Sequence, residues 1–104
     1  METLQRLLRE NHFKVTKESS KSTEFQHTKT RDIIYLLNSK GLTLVLSPRV
    51  VEGNERLEET SKMVHNTSFR HYPKRKNKGE TEISYGYSFK FQSEDELVCF
   101  IQEL

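Results

Sequence analysis

Apolar residues fall on every second position from Ile83 through Tyr85, Tyr87 and Phe89 to Phe91. A strand turns successive side chains to opposite faces, so these five share one face, and the pattern predicts a core strand over residues 81–91. Two nearly continuous apolar runs, residues 32–37 and 42–46, are separated by Asn38-Ser39-Lys40-Gly41. That is turn chemistry, with Gly41 able to take a positive φ, and it predicts a hairpin. Unbroken apolar runs suit central strands covered on both faces. Phe13 and Val15 alternate with His12, Lys14 and Thr16, which predicts a first strand, and residues 24–28 predict a short one that turns Phe25 inward. Residues 17–23 are polar and aperiodic and read as a loop or hairpin connection between the two.

Helical spacing marks both ends. Leu4, Leu7 and Leu8 stand at i, i+3 and i+4, predicting a helix over residues 2–9 that Asn11 ends in a left-handed conformation. Ser93 and Glu96 form a capping box, Glu94 and Asp95 put negative charge on the first turn, and Leu97, Phe100, Ile101 and Leu104 follow at i, i+3, i+4 and i+7. Residues 49–64 are ambiguous: Gly53-Asn54 caps a short helix carrying Leu57, or the segment stays irregular. Phe69 and Tyr72 mark a short extended piece before Pro73, and residues 74–79 read as an exposed loop. The sum is a single α+β domain over residues 1–104, an antiparallel-rich sheet of four to six strands with an N-terminal and a C-terminal helix packed on it.

Composition sharpens this in two places. Only 33% of residues are hydrophobic against 31% charged, with mean hydropathy −0.80, so the core must come from the few patterned segments above. The net charge of +2 conceals segregation. Between Thr60 and Gly79 there are six Lys or Arg and no acid, and between Glu52 and Glu59 four acids and one Arg. A single cysteine, Cys99, excludes an internal disulfide framework and points to a reducing compartment. No run approaches about 18 apolar residues, and no secretory signal is visible. We therefore expect a cytoplasmic protein with no membrane partner, in which the Asn66-Thr67-Ser68 sequon is coincidental.

The candidate nucleic-acid-binding residues are Arg70, His71, Lys74, Arg75, Lys76 and Lys78, crowded around Pro73. Such cations neutralise phosphates, Arg also reads guanine edges, and Phe69, His71 and Tyr72 are placed to stack on bases. The alternative is a solvated loop. Gly86 to Phe91 resembles the aromatic strand of RNA-recognition domains, but the motif's basic position holds Tyr85 and no βαβ unit precedes it. The stripe reads as core.

Other chemistry finds little support. His12, His27, His65 and His71 are scattered and only one Cys is present, so no metal framework is expected. Cys99, between Val98 and Phe100, reads as an inert packing residue. With two Asp, Asp32 and Asp95, and no acid followed two positions later by Lys, metal-dependent nuclease chemistry is not expected. Four dispersed glycines form no phosphate loop. We expect no catalytic residues and no cofactor. The leading reading is a non-enzymatic module for DNA, RNA or another polyanion. The alternative is a protein-interaction domain that pairs its acidic and basic patches with a partner's charges. A monomer or weak dimer fits either.

Residues 31–104 resemble the YgaC-type family of uncharacterised small bacterial cytoplasmic proteins. The features that match are an apolar strand ending in proline (Leu42 to Pro48), a variable connection (residues 49–62), Tyr72-Pro73, Gly79-Glu80, the Tyr85-Gly86 strand and the Ser-capped terminal helix from Ser93. The resemblance implies an α+β fold and supplies no activity and no site residues. Two departures stand out: the density of charge from Lys74 to Lys78, and an N-terminal match limited to a helix followed by a strand.

Overall fold

The computed structural model describes residues 2–20, 22–37, 41–66, 69–76 and 82–103, with side chains from residue 5 onward. The chain runs α1 (Glu2–Glu10), β1 (Phe13–Glu18), β2 (Ser22–His27), β3 (Ile33–Leu37), β4 (Leu42–Leu46), α2 (Pro48–Val51), α3 (Glu55–Thr60), β5 (Lys62–His65), β6 (Lys74–Lys76), β7 (Glu82–Phe91) and α4 (Glu94–Gln102). All the strand pairings are antiparallel, in the order β1-β2-β3-β4-β7-β5, with β6 also on β7. The fold is α+β, and the unbroken apolar runs β3 and β4 are central, as their composition requires.

The sheet register sorts side chains onto two faces, because directly paired residues project to the same side. Phe25, Ile34, Leu46 and Tyr87 form one row, and Thr23, Leu36, Leu44 and Phe89 the next. Both rows lie under the helices, where Leu8, Val51, Leu97 and Ile101 close the main core. Phe100 fastens α4 to the aromatic strand, its ring 4.9 Å from Phe89 and 5.2 Å from Phe91. The other face carries a second, smaller core of Tyr35, Val45, Phe69 and Tyr72. Residues 69–73 form a strap across that face, and the Tyr72 hydroxyl donates to the Ile33 carbonyl, 3.1 Å from Val45 O as well. Gly86 makes this possible. A Cβ there would lie 2.6 Å from Val45 Cγ1 and 2.9 Å from Tyr72 Cε2.

Capping explains the helix boundaries. The Arg49 N–H donates to Ser47 Oγ, Leu57 N–H to Asn54 Oδ1 and Glu96 N–H to Ser93 Oγ, each meeting an orphan donor of a first turn. Pro48 at the start of α2 gives up no hydrogen bond.

Several expectations change. The helix α1 ends in a left-handed residue, but this is His12 (φ 72) and not Asn11, whose amide still bonds back to Leu7 and Leu8. Residues 17–23 are the hairpin connection, but the strands reach further into it than expected: β1 runs to Glu18, β2 starts at Ser22, and Ser19 N–H closes on Ser22 O at 2.9 Å. A bulge between Val15 and Lys17 breaks the alternation there. Of the alternatives for residues 49–64 the short helix capped at Asn54 forms, as α3, with α2 before it and β5 after it, while residues 74–76 are strand β6, not loop. Ser88, opposite the aromatic stripe, is buried and donates to the Lys62 carbonyl. Cys99 is exposed on α4 and not packed. The turn residues 38–40 lie outside the described residues, although Gly41 has the expected positive φ of 63°.

Candidate polyanion interface on the open sheet face

The strap is where the predicted basic cluster begins, and its own chemistry claims part of that cluster. Asn66 N–H and Tyr85 N–H tie the strap's two ends to β7, through Ser84 O and Pro73 O. Between them Arg70 reaches back across the sheet to Glu24 of β2. Glu24 is 2% exposed and fully engaged. Its Oε1 accepts from Tyr35 Oη at 2.7 Å and Arg70 Nε at 3.1 Å, and its Oε2 from Thr16 Oγ1 at 2.7 Å and Arg70 Nη2 at 3.0 Å. Burial alone would raise this carboxyl. The hydrogen bonds from Arg70, Thr16 and Tyr35, with the Arg70 charge, outweigh it and hold the group down at about 2. Burial and donation to Glu24 in turn hold the Tyr35 hydroxyl protonated far above its ordinary range.

Arg70 is therefore a structural clamp whose charge is neutralised, bidentate to a buried acid. His71 is exposed, with Nε2 3.6 Å from the same carboxylate. Phe69 and Tyr72, expected as stacking surfaces, are 1% and 6% exposed and belong to the core. Lys74 and Lys76 are exposed on β6 and pair with Ser84 and Glu82, which puts them on the strap side of the sheet. Arg75 lies on the other side, its guanidinium 4.9 Å from the Tyr85 ring centroid. There the Tyr85 and Tyr87 hydroxyls both donate to Glu52 Oε2, at 3.2 and 2.9 Å. Burial first, then the bond to Glu52, push the Tyr87 hydroxyl up to about 12. Lys78 lies outside the described residues. The sequence cluster is thus divided between a clamp, two lysines on one face and an arginine on the other.

The register adds cations that sequence proximity misses. One row of the strap face runs Lys17, Glu24, Tyr35, Val45, Ser88, Lys62. Lys14 pairs with Gln26 and Lys90 with Thr43 on the same side. Six exposed lysines (14, 17, 62, 74, 76 and 90) share this face, and none is ion-paired among the described residues. They face Glu82, while Glu24 is balanced by Arg70. Lys17 and Lys62 stand five strand spacings apart, about 24 Å. The acids are on the other layer, with Glu55 and Glu58 in the first turn of α3 and Glu94, Asp95 and Glu96 in that of α4. Lys90 was readable from the alternation of β7, since it falls between Phe89 and Phe91. Lys62 has no such signal.

Among the described residues no group of three or more His, Cys, Asp or Glu is arranged to hold a metal. No described helix is long and apolar enough to cross a membrane. No protein-family model matches the chain, and no curated protein or solved structure matches it.

Proposed function

We propose that the protein is a non-enzymatic binding module for a polyanion, with nucleic acid the leading ligand, and that the strap face of the sheet is its contact surface. The observation that carries this reading is six exposed lysines, none ion-paired among the described residues, on one face of a molecule whose net charge is only +2. The contacts are to phosphates and not to bases. Lysine is a point charge without the planar fork that reads guanine, Arg70 is committed to Glu24, and the aromatic rings of this face are buried. Binding is then weak and indifferent to sequence, micromolar or weaker at physiological salt.

The same proposal takes in the YgaC-type kinship suggested by residues 31–104 and a cytoplasmic, bacterial setting in which the protein is a monomer or weak dimer. The test is a titration of duplex DNA and of an RNA pool at two salt concentrations. Four or five phosphates neutralised at once give a slope of log K against log salt of about −4 on duplex DNA. Absence of retention on DNA or RNA at about 50 mM salt would remove nucleic acid and leave a protein partner as the reading to pursue.

A further inference from the structure

On the helical side, a cleft of about 700 Å³ opens between the last turn of α4, helices α2 and α3, and the β2–β3 turn. Phe13, Ile34 and Leu46 of the sheet are among the residues that line it, with Val50, Leu57 and Ile101 from the helices. This is the shape of a small-molecule site, an apolar interior with a few polar groups at its mouth. Most of those polar groups are already used. Asn11 Oδ1 accepts from Gln102, Ser47 and Asn54 cap helices, and the Thr60 hydroxyl bonds to Arg56 O.

What remains is charged. Arg56 comes from α3 and has no ion-pair partner among the described residues. Asp32 comes from the β2–β3 turn with one oxygen held by the Thr30 hydroxyl at 2.9 Å, and Glu103 ends α4, where the helix dipole is negative. His12 and His27 also border the mouth, their rings 6.0 Å apart. His27 Nδ1 accepts the Lys29 and Thr30 amides, which places its ring hydrogen on Nε2. Among the described residues no group of three or more His, Cys, Asp or Glu includes this pair in an arrangement that could hold a metal.

We propose that this cleft binds a small zwitterion with an apolar body, of the apolar dipeptide type. Arg56 takes the carboxylate, Asp32 and Glu103 take the ammonium, and the side chains fill the apolar interior. A volume of about 700 Å³ leaves room for a dipeptide with an apolar side chain at each position. The site is independent of the lysine face and lies on the other layer of the molecule.

The experiment is an amide NMR titration of the full chain with the dipeptide Leu-Phe, with its N-acetyl derivative and with its C-terminal amide. Expected are saturable shifts at the amides of residues 12, 27, 32, 57 and 101, and affinity lower by about two- to fivefold for each blocked form. Arg56→Gln should abolish discrimination against the amide form only, and Asp32→Asn should weaken discrimination against the acetyl form only. Both positions are at the surface, so the variants keep the fold. The proposal is overturned if no shift saturates by about 10 mM, if the blocked forms bind as well as the parent, or if the shifts map to the lysine face. A variant with lysines 62, 74, 76 and 90 changed to Glu should lose polyanion binding and keep the dipeptide, so the two readings fail separately.

Discussion

A carboxylate that is 2% exposed and yet ionised is held by what surrounds it, and Glu24 shows what that is worth. Its folded value of about 2 lies below the ordinary 4.5. The group therefore contributes stability that is complete above about pH 4.5 and is lost as pH falls toward 2. The difference corresponds to about 3 kcal/mol, a large share of a small domain's stability. Urea unfolding midpoints should thus fall from pH 5 to pH 2.5 in the parent, and this pH dependence should be blunted in Glu24→Gln. That variant should itself be less stable by about 2–4 kcal/mol at pH 7, since Arg70 loses its ionic partner and one of the two accepting oxygens becomes an amide nitrogen that cannot accept. Equal pH slopes in the two proteins would show that the clamp is not the acid-sensitive element. Gly86 is the complementary case, where a missing atom matters. Gly86→Ala would push a methyl into Val45 and Tyr72, and a cost of about 1–3 kcal/mol in denaturant melts is expected, with the strap's amides losing exchange protection first.

Elements were legible in the sequence where their pattern was driven by burial. The stripe of β7, the capping box of α4 and the paired runs β3 and β4 all announce themselves, because a buried face imposes a period. Phe89→Ala should accordingly cost about 3–5 kcal/mol in urea unfolding, since it empties space between β7, β4 and Phe100. A parent-like midpoint would mean that the stripe is not core. The edges said less. Lys74-Arg75-Lys76 has no apolar residue to reveal a strand; β6 forms because the strap delivers it to β7 through Pro73 O and because Arg75 rests on Tyr85. The two strands of the β1–β2 hairpin were legible through Phe13, Val15 and Phe25, but not their extent, because β1 is an exposed edge with a bulge in it. The second core was hidden for another reason: one sheet face is covered by a strap whose Phe69 and Tyr72 lie far from Tyr35 and Val45 in sequence.

At the scale of the whole molecule, the candidate site was only half legible, and the missing half is testable. Sequence adjacency makes residues 70–78 look like one patch. The sheet instead gathers Lys14, Lys17, Lys62, Lys74, Lys76 and Lys90 from four strands and sends Arg75 to the opposite side. If the contact surface is the local run, Arg75→Gln should weaken DNA binding as much as Lys76→Gln, and Lys62→Gln and Lys90→Gln should do nothing. If it is the face, the ranking inverts: Lys62→Gln, Lys76→Gln and Lys90→Gln each weaken binding to all sequences alike and flatten the salt slope by about 0.9 per engaged lysine, while Arg75→Gln leaves the slope unchanged. Thermal midpoints should stay nearly constant across the three lysine variants, since exposed, unpaired charges contribute little to stability. Arg75→Gln alone should lower the midpoint slightly through loss of its contact with Tyr85. Fluorescence anisotropy on one duplex at three salt concentrations separates these outcomes, and an Arg75→Gln slope that falls with the lysine variants would return the contact surface to the local run.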